Sequence, residues 1–265
     1  MIPQRLRPVH FLRLGTLALA CALPLGAFAE LSNTPLLGLG LRSAPGYDGS
    51  ETQRVEIVPV IRYLGAPLFV RSTQGVLEGG VRTELMPGLN VGAQIAYEPG
   101  RLSSHSDFLR ARNAADIDRG ASVGVHLEWD TKLGPVPLSF LTRARRNIDA
   151  DLGTQVDFRL SAGAFQSGRF SAGVFGQAVW ADTKSTQAYY GVDAQQAAAT
   201  HLPAYQAGSG LLNTSFGVLW SVDLAPKWVV VGSVERRQLR GDAARSPFAQ
   251  RSSNNYVSAG LAYRL

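Results

Sequence analysis

Downstream of residue 29, three histidines are the side chains best suited to acid–base chemistry: His105, His126 and His201. A Ser–His–acid or His–Asp site needs its base within hydrogen-bond reach of its partners. His105 stands in Ser103-Ser104-His105-Ser106-Asp107, where hydroxyls and a carboxylate flank it. The same composition is ordinary for a polar loop. His126 and Glu128 share one face of an alternating segment, about 7 Å apart along a strand, and read as a charge pair facing a polar interior. His201 precedes Leu202-Pro203 in a connection. None of the three carries a nucleophile signature such as G-x-S-x-G. No close histidine pair offers zinc a site, and no glycine-rich segment has the strand–glycine–helix context of a phosphate loop. Asp242 alone supplies too few converging oxygens for a hard cation. The sequence therefore predicts a non-enzymatic protein with no catalytic, cofactor-binding or metal residues.

The N-terminus and composition set the compartment. Arg5, Arg7 and Arg13 precede an apolar run from Leu14 to Leu25, and Ala27-Phe28-Ala29 follows. That is the pattern of a secretory signal peptide, residues 1–29, cleaved after Ala29. The run is shorter than the roughly 20 residues a membrane helix needs. Ala18-Leu19-Ala20 before Cys21 lacks the leucine that a lipidation site usually has three places upstream of its cysteine. Cys21 is the only cysteine, so residues 30–265 can form neither disulfides nor thiolate metal sites. Once the three leader arginines are removed, the net charge falls to about +3. The sequence pI of 9.8 thus overstates the case for a nucleic-acid partner, and none is expected. Mean hydropathy is zero, which suits a wall with one apolar and one polar face.

The elements that must position these residues are strands. From Ser122 to Trp129, Val123, Val125, Leu127 and Trp129 alternate with Ser122, Gly124, His126 and Glu128. A period of two gives a strand two different faces. The pattern predicts twelve strands near 33–44, 54–64, 67–73, 76–86, 89–98, 120–130, 137–147, 154–165, 169–181, 210–224, 227–239 and 255–265, with ten as the alternative, in one domain over 30–265. Tight connections such as Pro87-Gly88 and Ala225-Pro226 alternate with others that are often longer, at 45–53, 99–119, 182–209 and 240–254. Outer-membrane barrels have short periplasmic turns and long external loops. The polar phase collects Glu56, Arg62, Glu78, Arg82, Glu84, His126, Glu128, Arg143, Arg145, Asp157 and Arg159. Tyr63, Tyr97, Trp129, Trp180 and Tyr263 close the apolar phase, as interfacial girdles do. Unpaired backbone amides in hydrocarbon cost several kcal/mol each, so a sheet in lipid must close. The prediction is a closed antiparallel transmembrane β-barrel in the outer membrane, in contact with lipid and lipopolysaccharide. Its lumen mixes both charge signs, so strong selectivity for either is not expected. Pro59, inside a strand, belongs where pairing is imperfect.

The last strand, Tyr256 to Leu265, alternates to its final residue. It resembles the C-terminal signal of outer-membrane assembly, with Leu265 where that signal usually has phenylalanine. Three further segments resemble the MipA/OmpV family, the MltA-interacting proteins. The first is Ala44-Pro45-Gly46-Tyr47-Asp48-Gly49-Ser50, with Val58-Pro59 after it. The second is Tyr189-Tyr190-Gly191-Val192, Gln195-Gln196-Ala197 and Leu202-Pro203-Ala204-Tyr205-Gln206-Ala207-Gly208. The third is Leu239-Arg240-Gly241-Asp242-Ala243-Ala244-Arg245-Ser246-Pro247. The resemblance implies an outer-membrane barrel and, for some members, a scaffold linking a lytic transglycosylase to a murein synthase. Other members are porin-like or adhesive, and the family supplies no catalytic residues. From the residues themselves, Tyr189, Tyr190 and Tyr205 read as packing a loop over the barrel mouth, and Gly241-Asp242-Ala243-Ala244 as a tight turn. Arg236, Arg237, Arg240, Arg245 and Arg251 read as one cluster at the rim. The sequence specifies no oligomeric state.

Overall fold

The computed structural model describes residues 34–73 and 75–265. The predicted signal peptide, 1–29, lies outside the described residues. Twelve strands follow in chain order: β1 (Leu36–Pro45), β2 (Gln53–Leu64), β3 (Leu68–Thr73), β4 (Val76–Met86), β5 (Leu89–Glu98), β6 (Gly120–Leu133), β7 (Val136–Asn147), β8 (Thr154–Ser167), β9 (Phe170–Ala181), β10 (Gly210–Ala225), β11 (Trp228–Leu239) and β12 (Ser253–Arg264). Each pairs antiparallel with its sequence neighbours, and β1 closes on β12 from Leu36↔Arg264 to Ser43↔Val257. The result is the closed twelve-stranded barrel that alternation predicts.

Side-chain burial inverts that of a water-soluble sheet protein. Val125 is 59% exposed and Ile57 74%, while His126 is 4% and Asp157 0% exposed. Apolar residues face outward and charged ones inward, which is favourable only when the surroundings are hydrocarbon. Trp129 and Phe140 stack on the outer wall, and Trp228 meets Tyr263 edge-on, forming part of a girdle at the end with the short turns. Gly134 and Gly168 adopt φ of 59° and 57° in those turns, a region that two-residue hairpins require and L side chains resist. Glu84 departs from the predicted lumen face. It is exposed at this end, and its Oε1 accepts from Gly88 N at 2.7 Å.

Pro59 is explained by the register. β2 pairs with β3 only through Arg62↔Arg71, Tyr63↔Val70 and Leu64↔Phe69. Above them the Ser72 hydroxyl stands in for a strand, accepting from Ile61 N at 3.0 Å. Backbone groups of alternate residues point to the same side, so position 59 faces β3 as position 61 does. The donor that proline lacks would have pointed into a stretch where β3 has already ended. On the other edge Pro59 sits opposite Leu39 of β1.

Helices α1 (Asp107–Ala111), α2 (Thr183–Tyr190), α3 (Ala194–Thr200) and α4 (Gly241–Arg245) occupy the long connections. Asp182 caps α2 by accepting from Ser185 N at 2.8 Å, and Asp193 caps α3 by accepting from Gln196 N at 2.7 Å.

Candidate functional site

The lumen holds two layers of packed side chains, and a cavity borders both. The first is a network of ions on the wall from β3 to β8. Cross-strand register sets Arg71 opposite Glu78 and Arg143 opposite Asp157. Arg71 Nε donates to Glu78 Oε1 at 2.5 Å, and its Nη1 to Glu128 Oε2 at 2.9 Å. Arg143 bridges Glu78 Oε2 at 3.0 Å and Asp157 Oδ1 at 2.8 Å. Gln94 donates to Glu78 Oε2 at 2.9 Å, and Arg145 reaches Glu98 at 3.0 Å. Glu78, Arg143 and Asp157 are all buried. They cover one another through these ion pairs, and Arg71 and Arg143 also border the cavity. Nearer the short turns Leu36, Val229 and Ala262 form an inward apolar cluster with Val60 and Val231.

The second layer is a lid, and it brings together residues from all three family-like segments. Tyr47 donates to the Phe248 carbonyl at 2.8 Å, and Ser246 Oγ to the Tyr190 carbonyl at 2.5 Å. Tyr205 donates to the Asp242 carbonyl at 3.0 Å, and Gly208 N to Asp242 Oδ2 at 2.7 Å. Leu109, Ala114, Val192 and Phe248 make a small apolar core, flanked by Tyr47 and Tyr205. Arg101 lies 4.3 Å over the Phe248 ring and donates to the Tyr189 carbonyl. Tyrosine packing over the mouth, expected from the sequence, is thus observed. The expected tight turn at 241–244 is instead α4, whose Asp242 holds the lid through Gly208.

Below the lid, Asp48 anchors the loop to the barrel. It accepts from Arg237 Nη1 at 3.0 Å and from the Tyr256 hydroxyl. Burial alone would raise its pKa; Arg237, the Tyr256 hydrogen bond and Arg42 outweigh it and hold the carboxyl below its ordinary value. Burial, with the Asp48 charge nearby, pushes the Tyr190 phenol well up. The cavity, about 870 Å³, is lined by ten arginines and five carboxylates. The mixed charge expected of the lumen is therefore unevenly distributed: carboxylates are committed to ion pairs, and the cavity wall is left cationic.

The sequence-selected histidines do not converge. His126 packs edge-on against Phe69 at 4.8 Å, while Glu128 turns to Arg71 and Arg82, so the expected His126–Glu128 pair does not form. His105 ends a 3-10 turn at Ser103–His105; burial and the charges of Arg54 and Arg119 lower its pKa. His201 takes the left-handed position that ends α3, at φ 58°. Among the described residues no group of His, Cys, Asp and Glu is placed to hold a metal. The rim arginines also divide. Arg237 turns inward to Asp48 and Glu235, whereas Arg236 bonds Ser253, Arg240 bonds Thr214, and Arg245 pairs with Asp242.

The family profile described as MltA-interacting protein MipA matches residues 37–265. A comparison with curated proteins finds no match. Among solved structures, an outer-membrane channel from Pseudomonas putida F1 is similar at 10% identity and TM-score 0.49, covering 88% of this chain and 96% of that one. LpxR from Salmonella typhimurium is similar at 10% identity and TM-score 0.45, covering 86% and 100%.

Proposed function

The chain belongs to the MltA-interacting protein MipA family of outer-membrane barrels, and from that premise we propose that it is a structural scaffold of the cell envelope. In this reading residues 1–29 are removed on export, residues 30–265 form the single barrel domain, and the periplasmic turns carry a murein-processing partner. The observation that favours a scaffold over a conduit is the packed lid over the lumen, with the Arg71–Glu78–Arg143–Asp157 network on the wall beneath it. A transport pore needs a continuous polar path, whereas a scaffold needs only a rigid wall and an accessible face. The family description names an interaction with MltA, and the same class of partner, a lytic transglycosylase, is the one proposed here. The protein has no catalytic role in this proposal.

The test is co-purification. The purified barrel should retain a lytic transglycosylase from the same envelope, and substitutions in the turns at 134–135 and 226–227 should weaken that retention without unfolding the barrel. Retention that responds only to changes in the lid would place the partner on the outside and overturn the assignment.

A further inference from the structure

The wall has a notch on its outer half. The β3–β4 hairpin ends at Thr73 and Val76, but β2 continues upward to Gln53, paired on that stretch with β1 alone among the described residues. Six residues separate outward-facing Tyr63 from outward-facing Ile57, about 15 Å of rise for a strand tilted by about 40°. The notch therefore opens toward the outer leaflet. Backbone groups of Val55, Ile57 and Pro59 face it, and hydrocarbon would not tolerate them unpaired. Pro59 has no donor to lose there.

The notch communicates with the interior. Ile57 and Tyr97, both on the lipid-facing phase, line the same cavity as Arg71 and Arg143. Its sill is cationic: Arg62 and Arg71 sit directly opposite one another in the last β2–β3 rungs, where like charges repel. Arg71 is buried, yet its Nη2 has no protein partner. Arg54 and Arg119 line the upper part of the cavity. An apolar opening onto lipid, set beside the partnerless Arg71 Nη2 and Arg54 Nε, matches a molecule with an acyl chain and an anionic head.

We propose that this notch is a lateral portal for a net-anionic, phosphomonoester-bearing lipid of the outer leaflet, with the headgroup at Arg71 and Arg54 and the chain left in the bilayer. This assignment is independent of the scaffold reading. It is tested by native mass spectrometry of the purified full barrel titrated with dioctanoyl phosphatidic acid, dioctanoyl phosphatidylcholine and inorganic phosphate. The acid should bind saturably as a single copy and about tenfold or more tighter than the choline lipid, as a charge-assisted contact requires. Val58→Trp, inward-facing beside the notch, should abolish that copy. The paired change Arg54→Gln with Arg119→Gln should weaken it, and keeps the test decisive if the tryptophan variant fails to fold. Equal binding of both lipids would mark ordinary annular lipid and overturn the portal. So would inorganic phosphate bound as tightly as phosphatidic acid, or full binding by a folded Val58→Trp barrel.

Discussion

Glu78 holds more of the lumen network than any sequence pattern announces. Its two oxygens serve Arg71, Arg143 and Gln94. Glu78→Gln keeps the shape and leaves two buried guanidiniums without their shared charge, a loss of about 3–5 kcal/mol when one partner of a buried pair is removed. Urea unfolding of the barrel in lipid vesicles should show it. Asp107→Asn, which touches only the exposed pair with Arg110, should change stability by less than about 1 kcal/mol. Equal small shifts would mean that water, not protein, fills the lumen at that level. Asp48 makes a different prediction, about pH. Its folded-state pKa is depressed, so its stabilisation is fully present above the unfolded carboxyl value of about 3.9 and is lost as pH falls through the lower folded value. Hydrogen exchange in the 46–52 loop, which Asp48 anchors, should accelerate only below about pH 4. In Asp48→Asn that acid step should vanish while exchange at neutral pH rises. An acid step that survives the substitution would assign the titration to another carboxylate.

At the scale of elements, the strands were legible because lipid on one side and charge on the other impose a strict period of two. Val123-to-Trp129 alternation carries directly into exposed and buried positions on β6. The lid was not legible in that way. Its helices run five to eight residues, too short for an apolar periodicity, and their stability comes from packing against one another. The available signal was local: Asp182 three residues before Ser185, and Asp193 three before Gln196, are N-cap spacings. Pairings such as Tyr47 with Phe248, about two hundred residues apart in sequence, follow only from barrel closure, which sets the first external loop beside the last. Phe248 is fully buried at that junction. Truncating it removes the middle of the lid core, and Phe248→Ala should cost about 3–5 kcal/mol of local stability. Limited trypsin digestion should then cut at Arg110, Arg112 or Lys184 in the loops while the strands remain protected. Loss of strand protection together with the loops would show that lid and barrel unfold as one unit.

For the whole molecule, the question is whether the lid or the ion network closes the path. A lid can be opened by loop motion, since loops occupy the low-stability end of a structure. The network cannot part without leaving charges buried and unpaired, so it should hold when the lid is gone. Replacing residues 183–208 by a short Gly-Ser linker removes α2, α3 and the Val192–Tyr205 bridge but leaves β9, β10 and every member of the network in place. In planar bilayers both the intact protein and this variant should be electrically silent. Adding Glu78→Ala with Arg143→Ala takes away the two central side chains, and only then should steady ohmic steps appear. The same comparison separates conduction from the proposed lateral portal, which opens to lipid rather than across the membrane and should bind phosphatidic acid in a barrel that passes no current. Steps from the linker variant alone would make the lid the only gate and turn the scaffold into a loop-gated pore.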